Sequence, residues 1–317
     1  MDDSLAISRA NNIGAMARRR RFVHNAEAKP ARRAPLDDGI LEYFSVSRAT
    51  EIRWSHATNS AEALAEALTN SVHMIEADIL MGTTMTEPET CPIMAHPPQT
   101  SSNLSFEEFI LSVTNHSGSK KGVKLDFKDP EAVIPCLKFL KTLEFHAPVV
   151  INADIWNGPG HKTKVRFIPS EFFDACKQYG PTNVVLSVGW STGKNALILF
   201  GCGGYRMYHV EEALGDIANA YPWPERCPPI TFPLQAILAR QMSEAARKKL
   251  FAAGSITLWG EARDSDTKWA SKLTDGAVYI DTAPAGWQAN YLVSYTAPVL
   301  LCLVLLLLQG VVFFQFG

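Results

Sequence analysis

No cysteine pair in a metal-type or redox-type spacing occurs in this sequence. Cys91, Cys136, Cys176, Cys202 and Cys227 are widely scattered and Cys302 lies in an apolar tail, so no C-x-x-C metal or redox site is indicated and the cysteines do not fix the compartment. Buried free thiols are the expectation. A dominant charge sign is missing as well. Lys+Arg 30 against Asp+Glu 32 gives a net charge of -2, which offers no basis for nucleic-acid binding. No glycine-rich phosphate loop follows the first expected strand, which removes the dinucleotide-binding class of α/β fold. No apolar stretch of signal-peptide length precedes the fold, so no secretory leader is expected. No internal repeat stands out beyond a strand–helix unit. Last, not one charged residue occurs from Thr282 to Gly317.

What is present is uneven. The 317 residues are 47% hydrophobic, enough for one large core. The run Arg18–Arg21, then Lys29, Arg32 and Arg33 among Ala and Pro, marks residues 1–35 as a disordered basic arm. Such an arm is either a solvated tail or an attachment to anionic lipid heads. At the other end, Ala297–Phe316 contains the unbroken apolar run Val299–Leu308. About 20 apolar residues cross a bilayer, and a buried core helix would carry a polar face that this segment lacks. A C-terminal transmembrane helix is expected after a linker from residue 286. With no flanking Lys or Arg its orientation is open. It fits a tail anchor with the preceding domain in the cytosol. It also fits a lipid-anchor signal with small residues at Ala283–Gly286, which requires an extracellular or luminal domain. Asn103-Leu104-Ser105 and Asn115-His116-Ser117 are glycosylation sequons.

Between these ends, over residues 36–285, short β-rich runs alternate with helical patterns. The strands are expected at Ile52–His56, Val72–Leu80, Val123–Phe127, Val149–Ala153, Val184–Gly189, Ile230–Phe232, Ile256–Trp259 and Val278–Ile280, with an extra run at Pro92–His96. Helices are expected at Ala61–Leu68, Phe106–Val113, Glu131–Leu143, Ser170–Tyr179, Glu211–Ala220, Ser243–Ala253 and Thr267–Leu273. Ser105 and Ser170 read as N-caps. Strand–helix alternation predicts a parallel sheet, and eight units in this length fit an α/β fold of the closed (β/α)₈ barrel type.

In such a barrel the chemistry sits at the C-terminal ends of the strands, and these ends are polar. Strand one ends at His56 and strand two carries Glu76 and Asp78. The extra run ends at His96, strand three carries Asp126 and Lys128, and strand four Asn152 and Asp154. Residues two apart on a strand share a face, so Glu76 and Asp78 point the same way. Inside a barrel each would cost several kcal/mol without counter-charge. Glu76, Asp78 and Asp126 on adjacent strands form a hard-oxygen cage suited to one Mg²⁺ or Ca²⁺, with Lys128 as a fixed positive charge for a phosphate oxygen. Each residue alone has a structural explanation, an isolated core histidine or a structural ion pair; their joint placement argues for a site.

The order His, Glu-x-Asp about 20 residues on, a second His, then Asp-x-Lys resembles the phospholipase C-like phosphodiesterases, which include the glycerophosphodiester phosphodiesterases and the sphingomyelinase D enzymes. Trp54–Ser60, Ile75–Ile79, Pro92–Pro98 and Val123–Lys128, extended by Asn152–Ile155, Ser187–Trp190 and Thr231–Pro233, resemble the menorin family more closely. The resemblance spans about residues 38–283. It implies that His56 and His96 share acid–base or nucleophilic work on a phosphodiester, that Glu76, Asp78 and Asp126 hold a divalent cation, and that Lys128, Asn152, Asp154 and Trp190 line the substrate pocket. Attack by a hydroxyl of the substrate itself, giving a cyclic phosphate, goes with this group. Two departures stand out: Ala57-Thr58 replaces the Arg-Gly that follows the first His, and Pro97 replaces an Asp after the second.

Two functions compete. One is a membrane-anchored phosphodiesterase acting on a lipid-derived phosphodiester. The other is a non-catalytic extracellular recognition protein with a cell-surface protein partner, as the association of menorin-family members with dendrite-shaping complexes implies.

Overall fold

The computed structural model describes residues 39–281, apart from 87, 144, 161–164, 194–203, 223–226, 261–267 and 274–275. The basic arm and the apolar C-terminal segment both lie outside the described residues. Among the described residues no helix is long and apolar enough to cross a membrane.

Eight strands run parallel in the order β1 (Trp54–Ser55), β2 (Met74–Thr84), β5 (Gly122–Phe127), β6 (Val149–Asn157), β7 (Val184–Ser191), β8 (Ile230–Gln235), β9 (Ser255–Trp259) and β10 (Val278–Asp281). Two further short strands attach to the end of β2: β3 (Cys91–Met94) antiparallel and β4 (Ser101–Ser102) parallel. The helices are α1 (Ile40–Phe44), α2 (Ala61–Thr69), α3 (Phe106–Thr114), α4 (Pro130–Thr142), α5 (Pro169–Tyr179), α6 (Met207–Ala220), the short α7 (Ala236–Ala239) and α8 (Glu244–Phe251). Strand–helix order and a single parallel sheet thus follow the expectation, and the sheet curls into a nearly closed barrel. No backbone ladder joins β1 to β10 among the described residues. That seam is spanned by side chains: the Trp54 and Tyr279 rings meet edge to face at 6.4 Å, and His56 reaches Asp281.

Alternation along the strands sorts the core into two regions. Ile75, Ala77 and Ile79 of β2, Val123, Leu125 and Phe127 of β5, and Val184, Leu186 and Val188 of β7 pack with the helices in one large apolar cluster. The intervening residues face the barrel axis. At its N-terminal end Trp54, Met74, Val150, Val185 and Tyr279 fill the interior, and Ile40, Leu41 and Phe44 of α1 pack against them. Above that layer the inward residues become polar, which places the candidate chemistry at the C-terminal mouth.

Local signals explain the helix starts. Ser60 Oγ accepts from Ala63 N at 3.2 Å to open the Ala-rich α2. Ser105 and Glu108 form a capping box at α3. Ser170 does not cap α5: the helix begins at Pro169, its N-cap is Ile168, and no side chain caps it. Proline's fixed φ suits the first helical position, so Pro169 sets the start one residue earlier. β2 also runs beyond Leu80 to Thr84, because β3 and β4 supply partners for its extension. The last expected helix, Thr267–Leu273, lies partly outside the described residues.

Close packing makes two glycines opposite in character. A Cβ on Gly254 would lie 2.2 Å from Ile230 O, a backbone atom, whereas one on Gly215 in α6 meets nothing within 4 Å. Gly254→Ala is expected to lower stability by roughly 1–3 kcal/mol. Gly215→Ala should raise it by about 0.5–1 kcal/mol through helix propensity. Chemical denaturation of the two variants beside the parent chain checks both signs.

Candidate functional site

The β2–β5 register sets Glu76 beside Lys124 and Asp78 beside Asp126, and the next pairings add Asn152 and Ser187. Six neighbouring inward positions on four strands are therefore polar. Glu76, Asp78, Asp126 and Asp281 are exposed by only 1%, 5%, 8% and 0%. Carboxylates this deep persist only with opposite charge and hydrogen bonds close by, and both are present.

Two linked clusters result. In the first, Lys128 Nζ lies 2.6 Å from Asp126 Oδ2 and 3.1 Å from Asp78 Oδ1. Asn59 clamps Asp78, donating from Nδ2 to Oδ2 at 2.7 Å and accepting from the Asp78 amide at 2.8 Å. Asn152 Nδ2 donates to Asp126 Oδ1 at 2.7 Å, and Ser187 Oγ donates to Asn152 Oδ1 at 2.5 Å, which fixes the amide's direction. Glu76, Asp78 and Asp126 each present an oxygen, and the three lie within 4.8 Å of one another.

The second cluster joins the first and last strands. His56 Nδ1 is 2.9 Å from Asp281 Oδ1 and 3.2 Å from Glu76 Oε2, and Lys124 Nζ holds Asp281 Oδ2 at 2.5 Å. The Ala57 amide donates to Glu76 Oε2 at 2.6 Å and the Thr58 amide to Glu76 O at 2.8 Å. To make that turn Ala57 adopts φ 53°, the left-handed region that costs a non-glycine residue roughly 1–2 kcal/mol. The strain lies directly after His56, where it aims two amides at Glu76.

These surroundings move the titrations. Burial by itself would lower the His56 pKa, but the charges of Glu76 and Asp281 outweigh it and raise it to about 9. Burial, with the charges of Asp78 and Asp281, pushes the Glu76 carboxyl up to about 7 against the pull of His56 and Lys124. Asp78 is held below the usual carboxylate range, its burial overcome by Lys128 and the Asn59 hydrogen bond. Burial also opposes ionisation of Asp281, yet Lys124 and His56 keep it far below that range. Lys124 and Lys128 rise above the ordinary lysine value, because facing carboxylates exceed the effect of burial.

His56, Glu76, Asp78, Asp126, Lys128 and Asn152 are thus brought together. Asp154 is half-buried one inward position above Asn152, and its charge acts on Lys128. Room for its side chain comes from Gly189, where a Cβ would lie 2.9 Å from Asp154 Oδ1. His96 is exposed beyond β3 and lines, with Asp78, Asn59 and Ser102, a cleft of about 610 Å³. Its Nδ1 donates to Pro97 O at 2.7 Å; a carbonyl only accepts, so Nε2 is the basic nitrogen of the neutral ring. Trp190 does not join the group. Alternation turns it toward the helices, where it is fully buried against Trp156, Tyr205 and Phe232 at ring distances of 5.3, 5.5 and 6.1 Å. Three residues went unselected in the sequence. Lys124 shares the i, i+2 face with Asp126 and was open to the same argument. Asp281 follows the last strand's apolar run by one residue. Asn59 sits in a loop and carried no spacing signal.

The donor set fits a divalent cation. Glu76, Asp78, Asp126, Asp154 and Asp281 outnumber Lys124 and Lys128, so two added positive charges reduce the imbalance. Asp78 and Asp126 already grip one cation, the Lys128 ammonium, between them.

Two outcomes follow for stability. His56 binds its proton more tightly folded than unfolded, so its contribution is complete below pH ~6.5 and is lost as pH rises through about 9. Thermal melting of His56→Gln should accordingly decline less than the parent between these pH values, by on the order of 2 kcal/mol. Lys124→Met leaves Asp281 buried beside an imidazole alone and is expected to cost about 3–5 kcal/mol, read by denaturant titration.

Comparison with known proteins gives one family. A family model described as the Menorin N-terminal domain matches residues 48–282. The human protein FAM151B is 36% identical over 238 residues, which covers 72% of this chain and 81% of that protein.

Proposed function

The chain belongs to the menorin family, and from that premise and the mouth geometry we propose that it is a divalent-cation-dependent phosphodiesterase acting on a lipid-derived phosphodiester. The observation that carries this is the convergence of Glu76, Asp78 and Asp126 oxygens within 4.8 Å beside a histidine held by a buried acid. Glu76, Asp78 and Asp126 would hold one Mg²⁺ or Ca²⁺, which when bound would supply positive charge to polarise a phosphoryl oxygen. Lys128 and Asn152 sit next to that position and orient the phosphate.

The two histidines divide the proton transfers. His96, its Nδ1–H engaged by Pro97 O, takes the proton of an attacking hydroxyl at Nε2. His56, a cation at neutral pH with Nδ1–H donated to Asp281, gives its Nε2 proton to the departing alkoxide. The hydroxyl oxygen bonds to phosphorus as the P–O bond to the leaving group breaks, and both protons are accounted for. Asp281 acts through His56, as a positioning residue.

A lipid source for the substrate is supported by where the chain leaves the barrel. Asp281, inside the site, ends β10, and the apolar run Val299–Leu308 begins 18 residues later. Such a stretch spans at most roughly 60 Å, so an anchor there holds the mouth near a bilayer. On this reading the C-terminal segment is a membrane anchor.

One observation favours the recognition reading. Lys128 already bridges Asp78 and Asp126, and a barrel whose lysine occupies the space between these acids can serve as a surface for a cell-surface partner without turnover.

The test is turnover of glycerophosphodiesters and lysophospholipids by the purified full chain with Mg²⁺ or Ca²⁺. Asp126→Asn and His56→Asn should each lower kcat/KM by about 10²–10⁴-fold. If the parent chain shows neither divalent-dependent turnover nor divalent binding by calorimetry, the proposal fails and the recognition reading stands.

A further inference from the structure

The face opposite the mouth carries a second concavity, of about 240 Å³, between the end of α1, the α3–β5 loop and the α4–β6 loop. Lys120 and Lys121 contribute the charge, His116 and His146 imidazoles, and Tyr43, Thr114 and Ser119 hydroxyls, while none of the described residues lining it is acidic. This inverts the charge pattern of the mouth, where carboxylates exceed lysines.

Two details show that the cationic groups here lack the compensation found elsewhere in the barrel. Lys121 is only 4% exposed, yet its ammonium is held by backbone carbonyls alone, Asn70 O at 2.7 Å and Val72 O at 2.9 Å. Lys124 and Lys128 each contact a carboxylate instead. Burial, and then the charge of Arg53, lower the Lys121 pKa. In addition, His116 Nε2 is buried with no hydrogen-bond partner, and an unsatisfied buried imidazole nitrogen costs roughly 1–3 kcal/mol. Lys120 lies over the Tyr43 ring at 5.0 Å and donates to Tyr43 O at 2.9 Å, which leaves its remaining ammonium hydrogens for another acceptor.

We propose that this pocket is a binding site for a phosphate-type anion, taken either as free phosphate or as a lipid headgroup. An acceptor-rich dianion supplies the counter-charge that no described lining residue gives Lys120 and Lys121, and an acceptor for the imidazole of His116. The site is independent of the mouth and does not rest on the phosphodiesterase reading.

The experiment uses the full chain in a neutral detergent, with inorganic phosphate and, separately, soluble short-chain phosphatidic acid as probes. Potassium chloride at matched ionic strength controls for screening. Phosphate should bind the parent chain and raise its Tm. Ser119→Asp, an exposed change that places a carboxylate in the pocket, and Lys120→Met should each weaken binding at least tenfold. Tighter binding of the phosphatidic acid than of phosphate identifies a headgroup site; equal or weaker binding identifies a free-phosphate site. Because Ser119 is exposed, retained Tm of Ser119→Asp without phosphate shows that the fold is intact. Binding that is unchanged in Ser119→Asp, or a Tm rise reproduced by chloride, overturns the proposal.

Discussion

Carboxylates inside a barrel are tolerable only where positive charge meets them, and that requirement organises this protein. Glu76, Asp78, Asp126 and Asp281 are each almost completely buried. Lys124 on β5 and Lys128, one residue past its end, divide the work. Lys124 grips Asp281 at one side of the interior, and Lys128 bridges Asp78 and Asp126 at the mouth. Such pairs stabilise a fold little on balance, since desolvation consumes most of the Coulombic gain. Their retention is better understood as the cost of keeping a charged site in a dry, preorganised place.

The same ion pairs serve the architecture. Because no backbone ladder joins β1 and β10 among the described residues, His56–Asp281 and Trp54–Tyr279 span the seam. The histidine for which proton transfer is proposed is thus also a clasp of the barrel. Strain at Ala57 belongs to this arrangement: the left-handed turn directs two amides at Glu76 and locks the segment following His56 onto β2. Closure and site formation depend on the same few contacts, so a variant that loosens the seam disturbs His56 as well.

Much of this was legible in the sequence. Alternation with helices revealed all eight parallel strands, and the i, i+2 rule placed Glu76 with Asp78 and Asp126 with Lys128 on inward faces. What escaped depends on register and loops. Asp281 is remote from His56 in sequence, by 225 positions, and only barrel closure brings them together. Asn59 acts from a loop through a local clamp on Asp78. Trp190 has the composition of a pocket residue, but its parity on β7 sends it to the aromatic layer beneath the helices. Ser170 is a good capping residue displaced by the adjacent Pro169, whose fixed φ settles where the helix begins. Strand β4 is two serines long, below what any periodicity can register.

Family membership places this barrel among the menorin proteins; the chemistry assigned to it depends on whether the mouth accepts a divalent ion. The most direct measurement is anomalous diffraction from crystals of the protein grown with Mn²⁺. The account predicts one peak among the Glu76, Asp78 and Asp126 carboxylates, with Lys128 Nζ displaced from the 3.1 and 2.6 Å contacts it makes to Asp78 and Asp126. No peak at saturating Mn²⁺, with Lys128 still bridging the two acids, would contradict it and leave a barrel whose lysine holds the position given to the metal.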